Sequence, residues 1–534
     1  MASTAGPFPD SAGSPPERDR RWERCCLWGL GLLLLLGAWW SVGFHQYDEH
    51  FQILEFAGRV LGITPASALP WEYGMRIRSW FQPALVVFVV HLLHPLGLVN
   101  PFHIAVVLRL LSAALYLVAL VRLLEASHPW FRSTRAWKAT VLASCFFWFV
   151  PYLAVRFSSE GWSGSLFFLG FAALIRDAEG HPASRLRLGL AGVLLGLAFA
   201  VRYQSGILIA AGVGWFALVG RARWSRLAPV AAGVALAIVA GLMLDRWGYG
   251  AWTFTPWRYL RANLVTGVAA ARFGSAPWWW YGPRLVLDAG PPIGVLLLLG
   301  VLTTWFRRPR NPLVWVSVAF VGAHVVLAHK ELRFLFPLVL AVPILMGLAL
   351  DQLPGLAAWA TERRVGRALL VTLVGLDAVG LGLRLAIPAR PEIALQQRVY
   401  RVAARRLLVV RGEDPYRLGG LSSYFYRPPG LEIVNLLEVD GRPEPSQLAA
   451  GGLVALLDTT RVDLSGLRCG VIYRAVPAWM ERPRIWSLLH PVELRPWTLE
   501  RCAPMAGAQR SLTAPAPEAR TSRAGPAGGA GGVP

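Results

Sequence analysis

Apolar runs of a length close to what a membrane-crossing helix needs, roughly 20 residues, recur along most of this chain. They lie near 25–43, 84–98, 103–121, 139–155, 161–175, 188–201, 206–220, 228–245, 289–306, 313–328, 334–351 and 368–387. Lipid offers no partners to backbone N–H and C=O groups, so such runs must close their hydrogen bonds internally as helices. The expected fold class is therefore a polytopic α-helical membrane protein. Composition agrees, with 55% hydrophobic and only 16% charged residues among 534. The net charge of +22 would suit a nucleic-acid partner, but the arginines cluster in short connectors between apolar runs. That is the positive-inside pattern, so no nucleic-acid role is read. Of the 53 cations only Lys138 and Lys330 are lysine, a bias that points to genome composition more than to function.

Topology follows from the charges. The basic flank 17–24 keeps residues 1–24 cytoplasmic, and the first run is too long and lacks the cleavage site of a removable signal. The connectors 122–138, 176–187, 221–226, 307–310 and 362–367 are arginine-rich and share the cytoplasmic side. Parity then requires the run at 84–98, which carries His91 and His94 and ends at Pro95, to be re-entrant or interfacial, giving about eleven spans. The alternative is twelve spans with one local breach of the charge rule. The outer loops are 44–83, 156–160, 202–205, 246–288 and 329–333, with an amphipathic helix expected at about 256–266. Beyond 388 the apolar runs shorten. VYRVAARRLLVV reads as a helix leading into a strand, and LEIVNLL, GLVALLD and CGVIYRAV read as short strands. A small extracytoplasmic mixed α/β domain is expected over 389–508, with Cys469 and Cys502 able to pair there. The 1–17 stretch and the tail 509–534 are rich in Pro, Gly, Ser or Ala and are expected to be disordered.

The loop 44–83 is richer in chemistry than a connector requires. It holds Asp48, Glu49, Glu55 and Glu72, the cations Arg59, Arg76 and Arg78, and the rings of Trp71, Tyr73 and Trp80. The adjacent acids Asp48 and Glu49 just beyond a span can supply a general base; the bland alternative is a solvated loop. His45 and His50 flank them without a specific metal-ligand spacing. HKELRFLFP (329–337) sets Lys330 and Arg333 near a membrane boundary, where helical spacing would put both on one face to grip a phosphate; snorkelling cations are the bland alternative. RFSSEGWSG (156–164), RYQSG (202–206) and DRWGYG (245–250) add Glu160 and Arg202 on the same side. No phosphate-binding glycine loop is present, and the cytoplasmic loops are too short to hold a nucleotide-sugar domain. A transferase acting on the outer face would need a donor carried in the membrane, with cations holding the departing lipid phosphate.

The ordered blocks DEHFQ (48–52), PWEYGMRIRSW (70–80), DRWGYG with RYLRAN downstream, PWWWY (277–281) and HKELRFLFP resemble glycosyltransferase family 22. These are the inverting mannosyltransferases of the GT-C superfamily, which use dolichyl- or polyprenyl-phosphate mannose. The PWEYGMRIRSW stretch is similar to the GPI third-mannose branch and to bacterial members. The resemblance covers residues 28–385 and implies a GT-C catalytic domain over 25–388. It implies Asp48 and Glu49 as the catalytic acid pair, and His329, Lys330, Glu331 and Arg333 as the His-Lys-Glu-x-Arg motif. Donor phosphate is then expected on Lys330, Arg333, Arg202 and His329. Substrate positioning is expected from Trp71, Glu72, Arg76, Arg78, Trp80, Glu160 and Glu331. Gln46 and Tyr47 stand where His-Pro usually precedes the acids. The partners implied are a lipid-linked sugar donor, a glycan or glycolipid acceptor and membrane lipid, with no cofactor and no essential metal. The arginine bias favours a bacterial inner membrane, or the endoplasmic reticulum if the chain is eukaryotic. Rival readings are a GT-C transferase of another lipid-linked sugar, a lipid or polysaccharide transporter, and a structural subunit whose C-terminal domain binds partners.

Overall fold

A computed structural model of the chain describes residues 18–410, 414–435, 453–457, 467–475 and 497–504. The expected disordered termini 1–17 and 509–534 lie outside the described residues. The described residues form a bundle of apolar helices followed by a small sheet, as the sequence pattern implies.

The first helix, Arg20–Trp40, buries Cys26, Leu30, Leu34 and Ala38 on one face. Trp28, Leu32, Leu35 and Trp39 stay exposed on the rest. That division is what a helix facing protein on one side and lipid on the other requires. By length and composition three helical stretches suffice to cross a membrane: Pro101–Trp130, Trp224–Tyr249 and Arg364–Arg401. The pair Leu332–Leu338 and Val342–Asp351, bent by 67°, forms a fourth candidate. Four shorter apolar helices accompany them, including Phe81–Leu96. The 13-residue α-helical part of that one, Phe81–Leu93, is about 20 Å long at the usual rise, well short of a bilayer core of roughly 30 Å.

Two runs read as continuous are broken. The 139–155 run divides into Thr134–Phe146 and Phe149–Ala154. Pro151 has no N–H to give and its ring crowds the carbonyl four residues back, at Phe147, and Asp377 Oδ1 takes the neighbouring Trp148 N–H at 3.1 Å. The 334–351 run bends between its 3-10 and α-helical halves, where Pro337 and Pro343 interrupt the ladder. The outer segment expected to be helical near 256–266 is helical over Thr255–Leu260 and continues as a π-turn to Val265.

Close backbone packing fixes the bundle. Helices Arg185–Val201 and Trp224–Tyr249 meet along Gly189, Gly192 and Gly233; a Cβ on Gly192 would lie 2.1 Å from the Val230 carbonyl oxygen. Small residues are what membrane helices use for such approach. Gly164 likewise admits Pro337, whose carbonyl oxygen would stand 2.4 Å from an added Cβ. That contact seats the segment after His329–Arg333 one turn below Glu160.

The C-terminal part begins with helix Pro391–Arg401. Its strands are β1 (Arg406–Val410), β2 (Arg417–Leu418), β3 (Leu421–Ser422), β4 (Glu432–Asn435), β5 (Leu453–Leu457), β6 (Leu467–Arg474) and β7 (Trp497–Pro504). The main sheet has order β4-β1-β5-β7-β6. β1 runs parallel to β4 and β5, while β7 is antiparallel to β5 and β6. Cys469 on β6 and Cys502 on β7 form a disulfide. β7 is an element the sequence pattern did not announce.

Candidate functional site

The site is built around the exit of the first helix. A helix C-terminus leaves carbonyls without intrahelical partners, and here arginines take several of them. Arg109 donates to Ala38 O at 2.6 Å, and Arg156 donates to Ser41 O and Gly43 O, each at 2.9 Å. Arg390 gives its backbone N–H to Val42 O (3.1 Å) and a guanidinium N–H to His45 O (3.3 Å). The loop that follows is thereby held before it starts the short helix Tyr47–Glu49.

Asp48 and Glu49 leave that helix with different surroundings. The Glu49 carboxylate turns back, and its Oε1 accepts the backbone N–H groups of His45 and Gln46, both at 3.1 Å. Glu49 is buried, and burial pushes its carboxyl up to about 7 against the pull of Arg156 and the two amides. Asp48 instead faces a cleft, with 31% of its side chain exposed. Its Oδ2 accepts from Arg333 at 2.7 Å, and the Arg78 guanidinium stands 3.8 Å away. Burial would raise the Asp48 carboxyl, but the charges of Arg333 and Arg78 outweigh it and hold the group below its ordinary range.

Arg333 is the hub. It forks onto Glu331 at 2.6 and 3.0 Å, reaches Asp48, and lies 3.7 Å from Glu160. Glu160 in turn accepts from Arg202 at 2.9 Å, and Ser159 Oγ accepts from the same guanidinium at 3.1 Å. Glu72 stands 3.6 Å from Arg78 and accepts from Gln52 at 3.0 Å. Five segments separated in sequence thus converge: 48–52, 72–83, 159–160, 201–204 and 331–333. All but 331–333 contribute to the lining of a cleft of about 510 Å³, which includes Asp48, Glu49, Arg78, Glu160, Arg202 and Tyr259, and Arg333 reaches it through its pair with Asp48. Each cleft arginine is held by carboxylates in the ligand-free protein, and a phosphate would compete for the same N–H groups.

Several expected residues lie elsewhere. Residues 327–331 are not helical; the 3-10 turn starts at Leu332. Lys330 therefore does not share a helical face with Arg333, and its ammonium donates to Leu327 O. His329 bridges Gly274 O (3.1 Å) and Glu331 (3.0 Å). Neither lines the cleft. Trp80 is fully buried, its backbone N–H on Asp245 Oδ1 at 2.8 Å and its ring against Gly248, so it braces the site from behind. Trp71 stacks under Arg272, and Arg76 occupies a left-handed turn at the end of helix Trp71–Met75. Neither contributes to the cleft lining.

Gln52, Gln82, Tyr203, Gln204 and Tyr259 line the cleft without having been singled out. One signal for Gln82 was available: a polar residue at the start of an apolar run, where lipid-depth polarity is costly. Glu55, also passed over, is the centre of a second, fully buried cluster. It accepts from His50 Nε2 (2.8 Å), Thr64 Oγ1 (2.5 Å) and the backbone N–H groups of Tyr424 (2.8 Å) and Phe425 (3.1 Å). Among the described residues, the grouping with metal-ligand spacing is Cys469, Glu500 and Cys502, whose cysteines are bonded to one another and offer no thiolate.

The sequence model of the Alg9-like mannosyltransferase family matches residues 27–388. Mannosyltransferase APTG1 of Arabidopsis thaliana is 26% identical over 65% of this chain and 62% of its own length. GPI alpha-1,2-mannosyltransferase 3 of Xenopus laevis is 26% identical over 57% of this chain and 56% of its own. GPI mannosyltransferase 3 of Gibberella zeae is 27% identical, with 61% and 60% covered. The match thus spans about three fifths of the length of these relatives. In fold, the chain is similar to ArnT from Cupriavidus metallidurans, crystallised with undecaprenyl phosphate. The TM-score is 0.53 at 13% identity, over 92% of this chain and 99% of that one.

Proposed function

This chain belongs to the Alg9-like mannosyltransferase family, and on that premise we propose that it is an inverting mannosyltransferase of the GT-C type. It moves mannose from a polyprenyl-phosphate donor to a glycan or glycolipid acceptor on the extracytoplasmic face. The observation that carries the reading is Asp48, open to the cleft and ion-paired to Arg333, with Arg78 and Arg202 lining the same space.

The reaction is one in-line displacement. The acceptor hydroxyl oxygen forms a bond to the anomeric carbon as that carbon's bond to the phosphate oxygen breaks. The hydroxyl proton passes to Asp48, and the electron pair leaves with the polyprenyl phosphate. Arg333, Arg202 and Arg78 neutralise the departing phosphate. Arg333 links the two halves. Paired with Asp48 as well as Glu331, it keeps the Asp48 carboxylate a weak base, and a bound phosphate shares its charge and makes Asp48 more basic. Glu49 sets the loop through the His45 and Gln46 amides, and Glu331 and Glu160 orient Arg333 and Arg202.

We place the sheet-bearing segment 389–508 on the same outer side as a domain of its own, a placement the Cys469–Cys502 disulfide supports because such bonds persist in oxidising compartments. About eleven spans carry this topology. The arginine bias favours a bacterial inner membrane, while the relatives named above are from a plant, a frog and a fungus. The test is sugar transfer by the purified chain in detergent, from synthetic polyprenyl-phosphate mannose to mannose-terminated acceptors, with and without chelator. Transfer that survives chelator supports the reading. Transfer only from another polyprenyl-phosphate sugar replaces the donor, and no transfer from any lipid-linked sugar overturns the proposal.

A further inference from the structure

Three buried donors of the cleft lining have no acceptor among the described residues, Arg78 Nε, Arg202 Nε and Gln82 Nε2, and of the three Gln82 is the neutral one. Gln82 is 3% exposed and lines the cleft with Asp48, Arg78 and Arg202. Its Nε2 has no hydrogen-bond partner among the described residues. The two other glutamines of the lining have spent their amide nitrogens. Gln52 donates to Glu72 at 3.0 Å, and Gln204 donates to the Tyr259 hydroxyl. Buried polar atoms are nearly always paired, so an orphan on a cleft wall calls for a partner that arrives with the ligand. Gln82 is also rigidly mounted. It is the second residue of helix Phe81–Leu93, next to the fully buried Trp80, whose backbone N–H is fixed by Asp245. A neutral amide does not compete with the arginines for phosphate, but it can donate to one hydroxyl and accept from its neighbour.

Resting on the glycosyltransferase reading, we propose that Gln82 is a sugar-recognition residue of this cleft, giving its side-chain N–H groups to a ring hydroxyl of the bound hexose. It acts on the sugar and not on the lipid phosphate. The hexose is either the donor's mannosyl ring or the terminal sugar of the acceptor, and the experiment separates them.

The test compares wild type with Gln82→Leu, which keeps the bulk and removes the amide. Thermal stabilisation of the detergent-solubilised full chain is read with polyprenyl phosphate, with polyprenyl-phosphate mannose, and with a mannose-terminated acceptor. Because Nε2 bonds none of the described residues, Gln82→Leu is expected to melt no lower than wild type. The shift from bare polyprenyl phosphate should be unchanged. The added shift from one of the sugar-bearing ligands should vanish, with KM for that ligand rising at least tenfold, or about 1.4 kcal/mol. Loss in the donor arm assigns the donor ring, and loss in the acceptor arm assigns the acceptor. A lower melting point with both sugar increments intact would overturn the proposal, since Gln82 would then be a packing residue. Wild type that responds to no lipid-linked hexose would refute the glycosyltransferase reading and this inference together; wild type that responds while Gln82→Leu responds equally refutes this inference alone.

Discussion

Asp48 and Glu55 stand about two helical turns apart in the segment after the first helix, and they are held by opposite means. Glu55 has no exposure, and its partners are short and fixed: an imidazole, a threonine hydroxyl and two backbone amides. Asp48 keeps 31% of its side chain open and, among the described residues, is held by long guanidinium side chains at 2.7 and 3.8 Å. Charge alone does not make a carboxylate reactive. Fixed donors that consume its lone pairs make it structural, while mobile cations beside a cleft leave it able to exchange partners. Glu55 serves as the clamp that seats Ser423–Tyr426 on the loop. There the rings of Phe44, His50, Tyr426 and Phe102 stack in sequence.

The contrast is broken most directly at Asp48. Asp48→Asn keeps the shape and removes the base, and turnover is expected to fall by roughly 10²–10⁴-fold with an unchanged melting curve. Turnover within tenfold of wild type would remove Asp48 from the chemistry. Glu55→Ala should do the reverse. It leaves His50 and two backbone amides buried without their acceptor, a loss on the order of 3–5 kcal/mol. Thermal unfolding in detergent reads it directly, and activity should be lost through instability, not at the chemical step. Burial would raise the Glu55 carboxyl, yet its bonds to His50 and Thr64 hold it below the ordinary value of 4.5. Its contribution is therefore present above that value and fades as pH falls below it.

Glu49 sharpens the comparison, because it neighbours Asp48 in sequence yet is bonded like Glu55. Its carboxyl titrates near 7 in the fold against an ordinary 4.5. Between these values the folded protein keeps a proton that the unfolded chain has released, so stability falls as pH rises through that window. Glu49→Gln retains the oxygen that accepts from His45 and Gln46. Melting scans from pH 5 to 7.5 should show the variant gaining on wild type by on the order of 1–3 kcal/mol, with turnover within about threefold at constant pH. A loss as deep as that of Asp48→Asn would make the pair a joint acid–base unit. The smallest effect is expected at Ser423, whose hydroxyl meets His50 Nε2 at 2.9 Å. Ser423→Ala should cost about 1 kcal/mol in the same melting assay and leave KM unchanged.

Much of this was legible in the residues. The spacing of apolar runs announces a helical membrane protein, since lipid permits little else. The DEHFQ and HKELRFLFP blocks mark Asp48 and Arg333, because acids and cations at the ends of apolar runs are conspicuous. The helix-to-strand reading of 399–410 and three of the later strands also match the structure. What the residues did not disclose is which polar groups are consumed. Lys330 looks like Arg333 in sequence, but its ammonium is taken by Leu327 O because the helix starts only at Leu332. Trp80 looks like a pocket ring, but Gly248 opens a slot behind it.

The sequence by itself determined which elements are apolar, since hydropathy is a local property summed along the chain, and it determined which charged groups stand at the ends of apolar runs. Only the tertiary structure decided that Asp48, Glu160 and Arg202 line one cleft, with Arg333 paired to Asp48 beside it, while Glu55 belongs to a buried clamp. Those outcomes depend on partners hundreds of residues away, the Asp48–Arg333 pair being separated by 285 positions and Glu55 from Phe425 by 370. Pairing of that kind is set by how helices pack, through close contacts such as Gly164 on Pro337, and no local pattern encodes it.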